Sequence, residues 1–161
     1  MNKKISILLL TMFGIGNSAF APGTVASFIT CLIYIILFYF KVNIFFLLII
    51  NLVIFIFSIY LIDSLKSFFS NIDAKEIVID EFIGQSIPIL SFYSFLEKEN
   101  INMFIIVAFA SFVLFRIFDI FKPYPINLID QKLKNGFGVM LDDMIAGIFS
   151  SILALIIFFN I

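Results

Sequence analysis

Long apolar runs constrain this chain more than any other feature of its sequence. A helix needs about 17–25 apolar residues to cross a bilayer. Four stretches come to that length, and they are residues 24–40, 42–62, 101–118 and 144–161. A fifth stretch, 82–96, is shorter and contains Pro88, so it either spans as a kinked helix or folds back. We therefore predict an all-α, integral-membrane helical bundle with about five membrane helices.

The charged residues predict how this bundle is oriented. The first apolar stretch, residues 5–13, is too short to cross, and we expect it to form a re-entrant half-helix. With the N-terminus inside, eight of the ten basic residues fall on the inner side: Lys3, Lys4, Lys66, Lys75, Arg116, Lys122, Lys132 and Lys134. This asymmetry is typical of cytoplasmic loops. It predicts a single multi-pass domain over residues 1–161, in the cytoplasmic (inner) membrane, with its polar face toward the cytoplasm.

The composition removes several classes of function. Hydrophobic residues make up 63% of the chain and charged residues only 13%, and the net charge is −1, so we expect no nucleic-acid partner. The chain has no His, and its one cysteine, Cys31, lies inside an apolar run. Catalysis by histidine is thereby excluded, and a thiolate nucleophile is disfavoured. Any chemistry has to come from carboxylates, hydroxyls, amides, Lys and Arg, with a hard metal ion as the natural cofactor.

A glycine-containing segment before the first long run is a candidate anion site. It includes Asn17, Gly23, Thr24 and Ser27. Glycines allow backbone N–H groups to approach an anion, and a helix beginning near Thr24 would direct its positive end toward one. Thr24 and Ser27, three residues apart, would share a helix face. The alternative is a plain loop in which Thr24 caps the helix that follows.

Two pairs of adjacent acids each precede an apolar run. They are Asp80 with Glu81, and Asp142 with Asp143. As acids at helix N-termini they would favour the helix dipole and need no further role. Adjacent carboxylates among aliphatic residues also repel one another unless a cation lies between them. The two pairs, on the same side of the membrane, therefore predict one divided metal site.

A third candidate element combines both signs of charge near the end of the run 101–118. Arg116, Asp119 and Lys122 are spaced by three residues and would form one stripe on a helix that ends at Pro123. A structural salt bridge is one explanation. The other is a phosphate held beside a metal, with the cations on the phosphate and the acid on the metal. The residues alone thus predict a carboxylate-rich, Mg²⁺-dependent site whose ligand is a phosphate-bearing lipid or a metal ion in transit.

Three blocks of the sequence together resemble the phosphatidylglycerophosphatase A family. They are residues 13–28 (F-G-I-G-N-S-A-F-A-P-G-T-V-A-S-F), residues 77–85 (I-V-I-D-E-F-I-G-Q) and residues 115–147, which begin F-R-I-F-D-I-F-K-P and end L-D-D-M-I-A-G. Their order and spacing agree with the family, and they cover about a third of the chain. The sequence departs from the usual pattern of the family at Ala26 and at Asn135 with Gly136. These departures affect loop shape and remove no charged group.

The resemblance implies a helical bundle around a central helix and a specific reaction. That reaction is the Mg²⁺-dependent hydrolysis of phosphatidylglycerol phosphate to phosphatidylglycerol at the cytoplasmic membrane face; no protein partner is implied. The implied catalytic residues are Asp80, Glu81, Asp119, Asp142 and Asp143, and all of these except Asp119 are the implied metal ligands. The implied phosphate-binding residues are Arg116, Lys122, Thr24, Ser27, Asn17 and Gly23. Asp73 also matches a recurrent acid of the family.

Two other functions stay open at this point. A non-enzymatic carrier of divalent cations would also place acids beside glycine and proline breaks within a membrane protein. Against it, the acids lie on one side of the membrane and have basic residues among them. A lipid-binding scaffold would explain the basic residues but would leave the two acidic pairs without a role.

Overall fold

The computed structural model describes residues 3–65, 74–93, 95–96 and 100–160, and the regular structure in these residues is helical. The seven α-helices are α1 (Lys3–Leu10), α2 (Pro22–Tyr39), α3 (Ile44–Leu65), α4 (Ile79–Tyr93), α5 (Ile101–Phe121), α6 (Ile126–Lys132) and α7 (Gly136–Asn160). The predicted all-α class is confirmed.

Four of these helices, α2, α3, α5 and α7, are long and apolar enough to cross a membrane. The sequence predicted about five, and the difference is α4. This helix has 15 residues, so it rises only about 22 Å, which is less than the hydrocarbon core of a typical bilayer, about 30 Å. The chain is therefore a multi-pass membrane protein in which the shorter helix α4 lies among four longer helices.

The short helix α4 is the centre of the bundle. Twelve of its 15 residues are buried, and it packs against α2, α3, α5 and α7. Its closest neighbour is α7, because glycines on both helices let the backbones approach. A Cβ on Gly147 would overlap the carbonyl oxygen of Gly84, and one on Gly84 would lie 2.7 Å from the Asp143 carbonyl oxygen and the Phe115 ring. The central helix implied by the family resemblance is therefore present.

The helices alternate in direction, so that five helix ends meet at one end of the bundle. The starts of α2, α4 and α7 lie there together with the ends of α3 and α5, and we call this the site end. One hydrogen bond joins the start of α7 to the end of α3: the backbone N–H of Gly136 donates to Asp63 Oδ1 at 2.8 Å. The acidic residues of α4, α5 and α7 are thus brought to the same end of the molecule.

Two helix starts differ from the sequence prediction. Helix α2 begins at Pro22 with Ala21 as its N-cap, in the left-handed region at φ 40°, so Thr24 lies in the first turn and does not cap the helix. Helix α7 begins at Gly136, eight residues before the predicted run 144–161. Asp142 and Asp143 therefore lie in the second turn of α7 and do not open it. The N-terminal stretch forms the short helix α1 followed by a 3₁₀ turn over Ile15–Asn17, as expected for a half-helix that turns back.

Candidate active site

A polar cavity of about 320 Å³ lies at the site end. Its wall is formed by the start of α2, the segment before α4, the start of α4, the end of α5 and the second turn of α7. The charged residues that line it are Lys75, Asp80, Glu81, Arg116, Asp119, Lys122, Asp142 and Asp143, and Gly23 and Thr24 line it as well. Three separate sequence motifs are therefore parts of one site.

Three carboxylates converge within this cavity. One oxygen from each of Glu81, Asp119 and Asp143 lies within 4.8 Å of the others. Like charges at this distance repel one another, and burial disfavours the charged form of a carboxylate. Three acids held this close favour a cation among them.

The first acid of each pair has a different environment from the second. Asp80 Oδ1 accepts the backbone N–H of Glu81 at 3.0 Å, and Asp142 Oδ1 accepts that of Asp143 at the same distance. Both aspartates are buried in the cavity wall. The two acidic pairs therefore adopt the same local arrangement on α4 and α7, with the second acid of each pair in the convergent cluster.

Arg116 is the cation nearest to the three converging carboxylates. Its Nη1 lies 2.5 Å from Glu81 Oε2 and 3.0 Å from Asp119 Oδ2, and all three side chains are largely buried. The same nitrogen donates to Ser27 Oγ at 3.3 Å, and the Ser27 hydroxyl lies 2.7 Å from Glu81 Oε2. The predicted salt bridge to Asp119 is therefore present, and it lies in the wall of the cavity. The role of Arg116 on a phosphate stays a prediction.

Lys122 forms the second cationic centre, directly after the last residue of α5. Its Nζ lies 2.7 Å from Asp142 Oδ2 and 3.0 Å from Asp130 Oδ1. Burial disfavours the charged form of Lys122, but the hydrogen bonds and charges of Asp142 and Asp130 outweigh this and raise its pKa above 10.5, the ordinary lysine value. The ammonium therefore stays charged at any physiological pH.

The first turn of α2 forms a further part of the cavity wall. A Cβ on Gly23 would overlap the Glu81 carboxylate, so a side chain at this position would displace that carboxylate. Helix N-termini carry N–H groups without intrahelical partners and a partial positive charge. The first turn of α2 can therefore bind an anion beside the acidic cluster.

Two predicted site residues lie outside the cavity wall, and one predicted residue lies outside the described part of the chain. Ser27 does not line the cavity, but its hydroxyl is hydrogen-bonded to both Glu81 and Arg116. Asn17 is exposed in the 3₁₀ turn and is not among the described residues that line the cavity. Asp73 is not within the described residues. Asp130 was not singled out from the sequence, although it lies eight residues after Lys122, across the turn that contains Pro123 and Pro125.

The donor set fits magnesium. Carboxylate oxygens are hard ligands of the kind that Mg²⁺ prefers, and a few protein carboxylates suffice because the ion keeps several waters. Glu81, Asp119 and Asp143 would supply such oxygens within the required distance of one another. Soft ligands are absent from the lining given above, which disfavours zinc or copper.

Comparisons with known proteins assign this architecture to a family. The family model described as phosphatidylglycerophosphatase A matches residues 8–158. A Haemophilus influenzae protein named phosphatidylglycerophosphatase A is 39% identical over 93% of this chain and 90% of its own length. An Escherichia coli protein of the same name is 33% identical over 89% of this chain and 78% of its own length.

A third relative carries a different name. This Bacteroides thetaiotaomicron protein, provisionally named a phosphatidylinositol-3-phosphatase, is 37% identical over 92% of this chain and 91% of its own length. No solved structure matches the chain. The family model extends over nearly the whole chain and includes every charged residue of the cavity, so the chain belongs to the phosphatidylglycerophosphatase A family.

Proposed function

We propose that this protein hydrolyses phosphatidylglycerol phosphate to phosphatidylglycerol and inorganic phosphate, with Mg²⁺ as its cofactor. The observation that carries the proposal is the cavity at the site end, where three basic side chains and five carboxylates line one space. Cations beside a carboxylate cluster suit a phosphate monoester held next to a metal ion. The apolar helices below the cavity suit the lipid part of such a substrate.

The proposed division of roles follows the contacts in the cavity. Glu81, Asp119 and Asp143 would hold Mg²⁺, and a bound Mg²⁺ would supply positive charge to the phosphate and lower the pKa of a nearby water. Arg116 and Lys122 neutralise the phosphate oxygens as negative charge spreads over them in the transition state. The backbone amides of the first turn of α2 bind the phosphate as well.

The bond changes require one further carboxylate as a proton acceptor. A water oxygen forms a bond to phosphorus while the bond from phosphorus to the ester oxygen of the lipid breaks. A carboxylate of the cavity takes a proton from the water, and the leaving ester oxygen receives a proton to become the hydroxyl of phosphatidylglycerol. The alternative is an attack by an aspartate, which gives an aspartyl-phosphate that water then cleaves. Rapid acid quenching during turnover separates the two, because only the second route leaves phosphate covalently bound to the protein.

A divalent-cation carrier is the competing function from another class. Such a carrier would require a cation path lined by acids and free of fixed positive charge. Here Arg116 lies 2.5 Å from Glu81 and 3.0 Å from Asp119, and Lys122 forms an ion pair with Asp142. Two cations embedded in the acidic wall favour binding of an anion, and they therefore support the phosphatase.

We propose that the site end faces the cytoplasm. Among the described residues that follow α1, the site end carries Lys75, Arg116, Lys122, Lys132 and Lys134, whereas the opposite end carries Lys41. Positive residues concentrate on the cytoplasmic side of membrane proteins. Single cysteines at Lys132 and Lys41, in a Cys31→Ser background, test this orientation with a membrane-impermeant maleimide on intact cells. Labelling at position 41 alone is expected, and labelling at position 132 alone would reverse the orientation.

The central experiment is phosphate release from phosphatidylglycerol phosphate in mixed micelles, with Mg²⁺ or with EDTA. We expect release with Mg²⁺ and none with EDTA. Asp143→Asn should reduce turnover by about a hundredfold or more, as removal of one transition-state contact typically does. Asp63→Asn is the matched control, since Asp63 is an acid at the same end of the bundle that contacts the backbone of Gly136 and does not line the cavity.

The name of the Bacteroides thetaiotaomicron relative makes phosphatidylinositol 3-phosphate the comparison substrate. Preferential release of phosphate from that lipid would still support a lipid phosphatase, but one whose substrate has a different headgroup. No release from either lipid by folded protein would contradict the proposal and favour the carrier, which a flux assay in proteoliposomes would then test.

A further inference from the structure

The charged cavity accounts for the phosphate of the substrate but not for its acyl chains. The outer surface where α2 and α5 meet offers a place for them. Thr24 lies at the cavity edge, and Phe28, Leu32 and Ile36 follow it at intervals of four residues on the same face of α2. All three apolar side chains are exposed. The cavity thus continues directly into an apolar stripe on the outside of α2.

Helix α5 presents a matching stripe on the same outer surface. Phe109, Val113, Ile117 and Phe121 are also spaced by four residues, and all are exposed. The last of them immediately precedes Lys122 in the cavity wall. The Phe28 ring joins the two helices, with its centroid 6.1 Å from that of Phe109 and 5.8 Å from that of Phe112. We call these two stripes with their ring contacts the Phe28 seam.

The length of the Phe28 seam suits one lipid leaflet. The twelve residues from Thr24 to Ile36 rise about 18 Å along the helix, whereas half of the hydrocarbon core measures about 15 Å. A lipid whose phosphate lies in the cavity would therefore extend its chains along the seam to about the middle of the bilayer. We infer that the Phe28 seam binds an acyl chain of the substrate lipid, an inference that rests on the proposed phosphatase function.

A second cavity, which is apolar, offers a competing place for an acyl chain. It measures about 330 Å³ and lies between α1, α2 and α3, with Phe57 among its lining residues. The residues of α4 that line it are Ile79 and Phe82, whereas Asp80 and Glu81 line the charged cavity. The two cavities thus use different sides of α4, and the seam has the more direct connection to the phosphate position.

The test compares long-chain with short-chain phosphatidylglycerol phosphate at a fixed detergent fraction. Phe28→Ala is paired with Phe57→Ala, because these two phenylalanines are 40% and 41% exposed. For Phe28→Ala we expect the KM of the long-chain lipid to rise about four- to fifteenfold, the equivalent of one or two methylenes leaving apolar contact. Its kcat and the KM of the short-chain lipid should stay unchanged, as should both constants in Phe57→Ala.

Leu32→Ala repeats the test further from the charged residues, in case Phe28→Ala disturbs the neighbouring Ser27. An equal rise of the KM for both lipids, or a rise for the long-chain lipid in Phe57→Ala alone, would overturn the inference that the Phe28 seam binds an acyl chain. Wild-type protein that releases phosphate from neither lipid would refute the proposed function instead. As an independent readout, a phosphatidylglycerol phosphate with a diazirine on its acyl chain should label α2 and α5 peptides, and label confined to α1 and α3 would assign the chain to the second cavity.

Discussion

Replacing Arg116 by glutamine tests whether the carboxylate cluster depends on a bound cation. In the structure Arg116 neutralises two buried acids, Glu81 and Asp119, and Asp143 lies beside them. Removing one partner of a buried ion pair typically costs about 3–5 kcal/mol, because the remaining charge stays uncompensated. For a domain of this size, 3 kcal/mol corresponds to a decrease in Tm of roughly 6–12 °C.

Magnesium should offset much of this loss. The ion would bind the same carboxylates that Arg116 contacts, so Arg116→Gln removes a competitor as well as a stabilising charge. At a hundred times its Kd, a ligand that binds only the folded state adds about 2.7 kcal/mol. We therefore expect Mg²⁺ to raise the Tm of the variant by more than it raises that of the wild type.

The assay is thermal unfolding in detergent micelles, in EDTA and over a Mg²⁺ titration, with Lys132→Gln as the control. Lys132 is an exposed basic residue of α6, and its replacement changes the net charge by the same amount. In EDTA the deficit of Arg116→Gln should shrink as the pH is lowered, since the cluster then takes up protons that the unfolded chain does not. A variant as stable as wild type in EDTA, or one whose response to Mg²⁺ equals that of Lys132→Gln, would refute this reasoning.

Three further predictions concern the surroundings of the cluster. Gly147→Ala should lower the free energy of unfolding by about 1–3 kcal/mol, because its methyl group overlaps the backbone of α4, and thermal unfolding measures it. Asp63→Asn should cost about 1 kcal/mol through the weakened cap at the start of α7 and leave kcat unchanged in the phosphate-release assay. Lys122→Met should reduce kcat by about a hundredfold. Because Asp142 and Asp130 raise the pKa of Lys122, its stabilising charge is complete below pH 10.5 and is lost only above it, so any decline of activity below that pH should persist in Lys122→Arg.

The long helices could be predicted from the sequence because a bilayer imposes one length on every span. Helix α4 did not follow this rule, since it is buried by protein on nearly all sides and need not match the bilayer thickness. Its position at the centre follows from glycine contacts between α4 and α7, which the sequence shows only as isolated small residues. Pattern therefore predicts which segments are helical better than it predicts which of them is central.

The start of α7 was misplaced for a related reason. Gly136 and Gly138 suggest a loop when they are considered one at a time. In the structure each is needed where the chain passes close to another segment, because a Cβ on Gly136 would overlap the Ile59 carbonyl oxygen and one on Gly138 that of Leu133. Asp63, more than seventy residues earlier, accepts the first N–H of the helix. Asn135, directly before the helix, also accepts the N–H of Gly138 at 2.8 Å, so the local sequence carries one cap signal and the other comes from a distant helix.

The two acidic pairs show how far spacing alone can define a site. Neighbouring residues of a helix point about 100° apart, so both acids of a pair cannot face one ion equally. Glu81 and Asp143 turn toward each other and meet Asp119, whereas Asp142 binds Lys122. This division predicts different phenotypes for adjacent residues. Asp143→Asn should abolish the stabilisation by Mg²⁺, whereas Asp142→Asn should retain it and lower kcat through a misplaced Lys122. Equal loss of Mg²⁺-dependent stabilisation in both variants would assign the metal to four acids instead of three.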